Sequence, residues 1–338
     1  MLRSACPTSL VAALFGATVI AQEGTPPPLP APGRLIDVGG WRLHLNCTGR
    51  ARGSAPTVIL EPGIGAFSVE WSLVQPLVAR QVRVCSYDRA GDGWSELGPH
   101  PRTFKQIVYE LHTLLERARE KPPFVLVGQS YGGWLVRQYQ LSYPTEVAGM
   151  VLVDAGEDDP ERIAPDGTVT RSSTLVSGTP IPPIQTSGPL RVADIPPAAL
   201  AAMRKAIAAT RDRANDPPRD KLPEDARRMR AWAQSQLGHL AAGVNPVEIE
   251  ELALLRAAST ATPRIYGDMP LVVITRGHPD SDDTPERIAT RLASHKAIAD
   301  RSRNGRHVIA EKSGHHVQID QPDLVANVIQ DVVSVVRK

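Results

Sequence analysis

The pentapeptide Gly-Gln-Ser-Tyr-Gly at residues 128–132 places Ser130 between an apolar run and a helical pattern. A nucleophilic serine needs an exposed hydroxyl, a base within hydrogen-bond reach and donors for the oxyanion. The two glycines permit the sharp strand-to-helix turn that lifts such a hydroxyl out of the chain. An N-cap serine at a helix start is the simpler alternative, but it leaves the flanking glycines without a reason. The pattern therefore indicates acyl-transfer chemistry at Ser130.

Short apolar runs bounded by Gly, Pro or Asp recur along the chain, with helical stretches between them. This alternation predicts one α/β sheet rather than two unrelated halves. One helix is expected between the fourth and fifth runs, where apolar residues from Ile107 to Leu115 form a single stripe. Further helices are expected directly after Ser130 and at the end of the chain. Eight strands are predicted, at residues 34–40, 41–47, 57–63, 82–88, 124–129, 149–155, 271–277 and 306–312.

Residues 157–262 interrupt this alternation, because they are Pro-rich at first and then helical, without a strand pattern. A long excursion inside a compact domain is more often functional than idle. A helical cap that roofs a pocket is therefore favoured over helical decoration that does not contact the site. The predicted core consists of residues 34–156 and 263–338.

The first residues are typical of an export signal. Arg3 precedes the apolar run Leu10 to Ala21, which is too short to span a bilayer and has small residues where a signal peptidase cleaves. Residues 1–21 are predicted to be a signal peptide, and residues 22–33 a Pro-rich linker. An N-terminal helix packed on the domain is the alternative. We expect a periplasmic or extracellular protein whose mature chain has no integral membrane span.

The composition narrows the possible partners. Apolar residues make up 42% of the 338 residues, charged residues make up 22%, and the net charge is +2 with both signs interspersed. No basic face of the kind that nucleic-acid binding needs is expected. Histidines such as His44, His112, His239 and His278 show no metal-ligand spacing, so surface or structural positions are expected for them. Neither a metal nor an organic cofactor is predicted, and the oligomeric state is left open.

Three further stretches resemble the α/β-hydrolase superfamily. The sequence YDRAGDGWS at residues 87–95 is similar to the family's D-x-R-G-x-G-x-S stretch, with Ala90 in place of a glycine. The sequence SGHHVQIDQPDLV at residues 313–325 resembles the loop and last helix that carry the catalytic histidine. Residues 60–71 occupy the place of the oxyanion loop, although Glu61 and Pro62 stand where His-Gly is commoner. Because the matches occur in this order, the sequence resembles those of bacterial esterase-like and lipase-like serine hydrolases with a helical cap.

The resemblance implies the base and the oxyanion donors. His315 directly follows Gly314 and lies seven residues before Pro322, as the family's base does, so the neighbouring His316 is expected to point elsewhere. The main-chain N–H groups of Tyr131 and Ile64 are expected to bind the oxyanion.

Two carboxylates compete for the third position of the triad. Asp280 lies three residues after Gly277, beyond the seventh strand, which is the usual place in the family and is preferred by a small margin. Asp154 lies at the tip of the sixth strand, which some relatives use instead. Asp282 and Asp283 would need a longer loop. Alternatively, Asp154 could only cap the turn after its strand, and Asp280 could lie in a solvated turn.

The resemblance also implies a disulfide. The family's strand order, 1-2-4-3-5-6-7-8, places the second strand beside the fourth, which brings Cys47 near Cys85. An oxidising compartment would favour a bond between them. Two buried thiols are the alternative.

The sequence thus predicts a serine hydrolase that cleaves a small-molecule ester or other acyl substrate through an acyl-enzyme. A peptidase, an amidase or an acyltransferase could use the same triad, because leaving-group preference depends on pocket shape. A binding protein that kept the fold without turnover is the alternative from a different class.

Overall fold

The computed structural model describes residues 29–51, 53, 55–163, 168–210, 213–241, 245–281 and 283–337. The predicted signal peptide, residues 22–28 of the predicted linker and Asp282 lie outside the described residues. Within the described part of the chain, no helix has both the length and the apolar character needed to cross a membrane.

Eight strands form one mixed sheet in the order β1-β2-β4-β3-β5-β6-β9-β10, which confirms the predicted fold and strand order. The edge pairs β1–β2 and β2–β4 are antiparallel, and all other neighbours in the sheet are parallel. The central strands β3 and β5 are buried along their whole length, as expected for parallel strands covered on both faces. The strands are β1 (Arg34–Asp37), β2 (Arg42–Thr48), β3 (Thr57–Glu61), β4 (Val84–Tyr87), β5 (Phe124–Gln129), β6 (Val147–Val153), β9 (Leu271–Arg276) and β10 (Gly305–Ala310).

Helices cover both faces of this sheet. On one face, strand residues such as Leu126 and Leu152 belong to the same apolar cluster as Leu111 and Leu114 of α2. On the other face, Val125 and its neighbours pack in a second cluster with residues of α1 and α10. Alternate residues of each central strand therefore fill two separate cores. The core helices are α1 (Gln75–Ala79), α2 (Phe104–Ala118), α3 (Tyr131–Ser142), α8 (Pro285–Ala299), α9 (Val317–Asp320) and α10 (Pro322–Val336).

Between β6 and β9, the described residues form four α-helices, and they also form a short hairpin that the sequence pattern did not reveal. The hairpin strands have three residues each, too few to show an alternating pattern. Residues 224–241 have one continuous helical pattern in the sequence, but they form two helices that are separated by Ser235 and Gln236. These elements are β7 (Glu161–Ile163), β8 (Val169–Arg171), α4 (Pro197–Thr210), α5 (Glu224–Gln234), α6 (Leu237–Ala241) and α7 (Glu248–Thr260).

The predicted disulfide is present. Cys47 and Cys85 lie directly opposite each other in the β2–β4 register, and their sulfur atoms are 2.03 Å apart. The bond closes a loop between positions separated by 38 residues. It ties the antiparallel edge of the sheet to its parallel centre.

Replacing both cysteines, Cys47→Ala with Cys85→Ala, is expected to lower the free energy of unfolding by about 2–4 kcal/mol, because the unfolded chain gains the freedom of the opened loop. Urea denaturation of wild type and double variant measures the difference. As a control, unreduced, denatured protein that lacks residues 1–21 should contain no thiol that reacts with a labelling reagent. Two labelled thiols per chain would contradict the bridge.

Candidate active site

Ser130 lies on a strained turn between β5 and α3. Its φ is +52°, in the region that non-glycine residues seldom occupy. A Cβ on Gly128 would lie 2.4 Å from the carbonyl oxygen of Gly132, and a Cβ on Gly132 would lie 2.5 Å from that of Glu61. Both glycines are therefore required by close backbone contacts, as the sequence pattern indicated. The turn presents the serine side chain at the carboxyl end of the sheet.

The turn after β6 is hydrogen-bonded to the serine turn. The Ser130 N–H donates to the Val153 carbonyl at 3.1 Å, and the Gly156 N–H donates to the Ser130 carbonyl at 3.0 Å. Asp154 follows Val153 with a φ of +40°. Two neighbouring strands are thus each followed by a residue of positive φ, and main-chain hydrogen bonds join the two turns.

Asp154 contacts His315, which lies in the loop between β10 and α9. The Nδ1 atom of the His315 ring is 2.6 Å from Asp154 Oδ2. The other carboxylate oxygen, Oδ1, accepts a hydrogen bond from the Arg276 N–H at 3.1 Å. The Gln129 side-chain amide donates to the His315 carbonyl at 3.2 Å and lies 3.3 Å from its Nε2. Gln129 was not singled out from the sequence, where it is only the variable residue before the serine.

The structure does not bring Asp280, the preferred candidate, to the histidine. The Asp280 carboxylate forms an ion pair with the Arg276 guanidinium at 2.5 Å, and its side chain is 45% exposed. Its N–H donates to the Asp283 carboxylate. β6 lies next to β5 in the sheet, so its tip is closer to the serine than the loop after β9. The structure therefore brings Asp154, the other candidate, to the histidine.

The electrostatics of this pair favour a charged carboxylate. Burial alone would raise the pKa of Asp154, but the hydrogen bond and charge of His315 and the charge of Arg276 outweigh it and lower that pKa. His316 lies in a different environment, where burial, above all, and the charge of Arg219 lower its pKa to about 3. Its Nδ1 is buried without a hydrogen-bond partner. Of the two adjacent histidines, only His315 has a carboxylate at hydrogen-bond distance.

The predicted oxyanion donors lie at the start of α3 and in the loop after β3. Tyr131 is the first residue of α3, whose first-turn N–H groups have no acceptor within the helix. Ile64 lies in the loop after β3, and its side chain is exposed. Arg89 holds this loop through hydrogen bonds to the carbonyl oxygens of Pro62, Gly63 and Ala66.

Glu61 explains the unusual sequence of this loop. Its carboxylate is fully buried, accepts from the Arg89 guanidinium at 2.7 Å and also accepts from the Tyr87 hydroxyl. Where the family commonly has a histidine, this chain has one end of a buried ion pair. The departure noted in the sequence therefore changes how the loop is held.

The stretch at residues 87–95 serves structure through its charged residues. Asp88 accepts the N–H groups of Ser68 and Trp94. Asp92 lies 3.0 Å from Nδ1 of His239. His239 belongs to α6 in the segment between β6 and β9, residues 157–262, which we call the insertion. Each of the three charged side chains thus holds a different part of the structure. Asp88 binds the main chain at Ser68 and Trp94, Arg89 binds the oxyanion loop, and Asp92 binds His239.

A cavity of about 380 Å³ adjoins Ser130, Asp154 and His315. Much of its remaining lining is charged, and it includes Glu157, Glu161, Arg276, Arg287 and Arg291. These groups form ion pairs, such as Arg287 with Glu161 at 3.3 Å. The cavity is therefore a polar chamber rather than an apolar tunnel.

One group of potential metal ligands occurs elsewhere among the described residues, formed by Cys47, Cys85 and Glu120. The disulfide removes both thiolates that would bind a metal. The Glu120 carboxylate is paired with Arg83 at 2.6 Å. This group therefore lacks the chemistry of a metal site.

Comparisons with known proteins agree with this architecture. A family model described as "Alpha/beta hydrolase family" matches residues 58–328. An AB hydrolase superfamily protein of Gibberella zeae is 26% identical over 308 residues, covering 88% of this chain and 92% of that protein. A thermophilic esterase from Thermogutta terrifontis has a TM-score of 0.58 and 17% identity, with 90% of this chain and 100% of that one covered.

An enol-lactonase from Burkholderia xenovorans LB400 has a TM-score of 0.60 and 19% identity, with 89% of this chain and 100% of that one covered. At such identities the two solved structures show a common fold and nothing about the reaction.

Asp283→Asn tests the ion-pair group that Asp283 forms with Arg276 and Arg291. Burial works against the charged form of Asp283, but hydrogen bonds from Arg291 and from the Asp280 N–H lower its pKa to about 2. A lowered pKa stabilises the fold above the ordinary value of about 4, and the gain is lost as the pH falls towards 2. The variant should therefore be less stable than wild type at pH 7, with a gap that narrows from pH 5 to pH 3.

Urea denaturation between pH 7 and pH 3 measures this gap. Asp300→Asn is the matched control, since Asp300 forms an exposed pair with Lys296 and should change stability little at any pH. A gap that stayed constant between pH 5 and pH 3 would contradict the assignment.

Proposed function

Because the chain belongs to the alpha/beta hydrolase family, we propose that it is a serine hydrolase that cleaves a carboxylic ester through an acyl-enzyme. Ser130 is the nucleophile, His315 is the general base, and Asp154 orients and stabilises the histidine. The main-chain N–H groups of Ile64 and Tyr131 bind the oxyanion. Ester hydrolysis by this route requires no metal or organic cofactor.

The contact between His315 Nδ1 and Asp154 Oδ2, at 2.6 Å, carries the proposal. A carboxylate that accepts from Nδ1 fixes the imidazole in the tautomer whose Nε2 can take a proton. Ser130 lines the same cavity as this pair, on a turn that exposes its hydroxyl. A serine that only capped α3 would account for neither the strained turn nor the paired histidine.

In the acylation step, Ser130 Oγ attacks the ester carbonyl carbon while His315 Nε2 accepts the hydroxyl proton. The carbonyl oxygen gains the negative charge, which the two main-chain donors stabilise. Collapse of the tetrahedral intermediate breaks the bond to the alcohol oxygen. His315 returns its proton to that oxygen, and the alcohol leaves.

In the deacylation step, His315 takes a proton from water as the water oxygen attacks the acyl-enzyme carbonyl. The second tetrahedral intermediate breaks the bond to Ser130 Oγ, which receives the proton from His315. The carboxylic acid is released and the serine is regenerated. Asp154 remains ionised in both steps and stabilises the imidazolium.

The polar chamber beside His315 supports a polar leaving group. Five charged side chains besides Asp154 line it, so a long apolar alcohol would meet unfavourable surroundings there. A small alcohol with hydrogen-bonding groups fits a volume of about 380 Å³. We therefore propose water-soluble small-molecule esters as the substrates.

A fluorophosphonate probe tests the nucleophile. Wild-type protein is expected to gain one covalent adduct, because an activated serine attacks the probe's phosphorus, and Ser130→Ala should gain none. Intact-protein mass spectrometry measures both. Ser173→Ala removes an exposed serine of the insertion and should label like wild type. An unlabelled wild-type protein, or equal labelling of Ser130→Ala, would reject the serine-hydrolase proposal in favour of a binding protein.

Paired asparagine variants test the acid. Asp154→Asn should lower kcat for a p-nitrophenyl ester about 10⁴-fold, because an amide can hold the histidine in the wrong tautomer. Asp280→Asn is the matched control and should stay within about tenfold of wild type, since it loses only a half-exposed ion pair. Thermal unfolding of each variant checks its fold. A large loss in Asp280→Asn with little change in Asp154→Asn would reverse the assignment.

A further inference from the structure

A second cavity, of about 190 Å³, lies beside the loop after β3 and the start of α3. The loop after β3 contributes Ile64 and Gly65 to its wall, and α3 contributes Tyr131. Both proposed oxyanion donors therefore border it. His239 and Leu240 of α6 close it from the side of the insertion.

His239 is held in this cavity from two directions. Its Nδ1 lies 3.0 Å from Oδ1 of Asp92, which is itself buried. The neighbouring residue Gly238 packs so closely on Gly91 that a Cβ there would lie 2.8 Å from the Gly91 carbonyl oxygen. The position of this ring is therefore set by packing as well as by its hydrogen bond.

The free edge of the His239 ring faces the oxyanion loop. A Cβ placed on Gly65 would lie 3.7 Å from both Nε2 and Cε1 of His239. Within the described residues Nε2 makes no hydrogen bond. The ring therefore offers one unused polar atom to whatever occupies the cavity.

Proton transfer decides which part of an ester enters each cavity. His315 must protonate the leaving oxygen, so the alcohol lies in the larger chamber that His315 lines. The acyl group then extends from Ser130 along Tyr131 and the loop after β3 into the smaller cavity, which these residues line. A volume of about 190 Å³ suits a short acyl chain.

The charges around His239 favour a neutral polar group on that chain. Asp92 and Arg89 both line the cavity and carry opposite charges, so neither a carboxylate nor an ammonium group gains a net attraction there. Asp92 and Arg89 lie 3.6 Å apart and largely offset each other. A hydroxyl carries no charge, and it can donate to or accept from an imidazole nitrogen.

We propose that His239, held by Asp92, determines substrate specificity by hydrogen-bonding a hydroxyl on a short acyl chain, so that esters of small hydroxy acids are preferred substrates. The inference rests on the proposed function and names the substrate class for the same site. His239 contacts the acyl group and takes no part in the proton transfers. The sequence predicted a surface or structural position for this histidine, because it shows no metal-ligand spacing, and its partner Asp92 is distant in the chain.

Matched methyl esters test the proposal. The pairs are methyl 3-hydroxybutyrate with methyl butyrate, and methyl lactate with methyl propionate, and acid release is followed at constant pH 8. Wild-type kcat/KM, divided by the rate constant of hydroxide-catalysed hydrolysis of the same ester, should favour the hydroxy ester of at least one pair about tenfold, as one hydrogen bond provides. His239→Leu should abolish this preference, and His239→Gln should restore part of it.

His112→Leu is the matched control. His112 also pairs with a carboxylate, that of Glu146 at 3.0 Å, and lines neither cavity, so its variant should keep the wild-type preference. An equal normalised rate for both members of each pair in wild type would overturn the inference, whether or not the variants fold. A preference that survived in folded His239→Leu would also overturn it. If the protein neither hydrolyses these esters nor reacts with the fluorophosphonate, the proposed function itself is rejected.

Discussion

Two main-chain hydrogen bonds join the turn after β5 to the turn after β6, and the geometry of the site depends on them. Ser130 donates to the Val153 carbonyl, and its own carbonyl accepts from Gly156. These bonds fix both turns in conformations with positive φ, which an isolated segment would rarely keep. Ser130 and Asp154 therefore lie at the same end of the sheet. The loop between β10 and α9 places His315 there as well. Parallel pairing of β5 and β6 supplies the frame.

The oxyanion loop depends on a second constraint, the buried Arg89 guanidinium. It binds the Glu61 carboxylate and three carbonyl oxygens of the loop after β3. Breaking one partner of a buried ion pair is costly, because the remaining charge is left without compensation. A loop held in this way can present its N–H groups without rearranging during a reaction, which is the condition for effective oxyanion stabilisation.

The insertion is attached to the core through buried charged groups. Asp158, at its start, pairs with Arg137 of α3 and with Arg301. Glu251 of α7 accepts the first N–H groups of α2, at Phe104 and Lys105. Each contact joins segments that are far apart in sequence, so the helices near the two cavities have defined positions. His239 of α6 is held separately, by Asp92 and by the packing of Gly238 on Gly91.

Much of the fold could be predicted from local patterns. The apolar runs identified every strand of the main sheet, and the glycines around Ser130 identified the turn, because burial and backbone sterics act on neighbouring residues. The short hairpin in the insertion was missed, since three-residue strands carry too little pattern. Strand order and the Cys47–Cys85 bond followed from resemblance to a known fold rather than from the residues alone.

The sequence by itself determined the strands, the serine turn and a short set of candidate carboxylates. Only the tertiary structure decided which carboxylate meets His315, because Asp154 and Asp280 both follow buried strands and look alike as local sequence. Their difference arises from partners far along the chain. Arg276 and Asp283 bind Asp280 in its half-exposed loop, while hydrogen bonds between adjacent turns hold the turn that places Asp154 beside His315. Contacts of that range depend on the packed sheet, which no local pattern encodes.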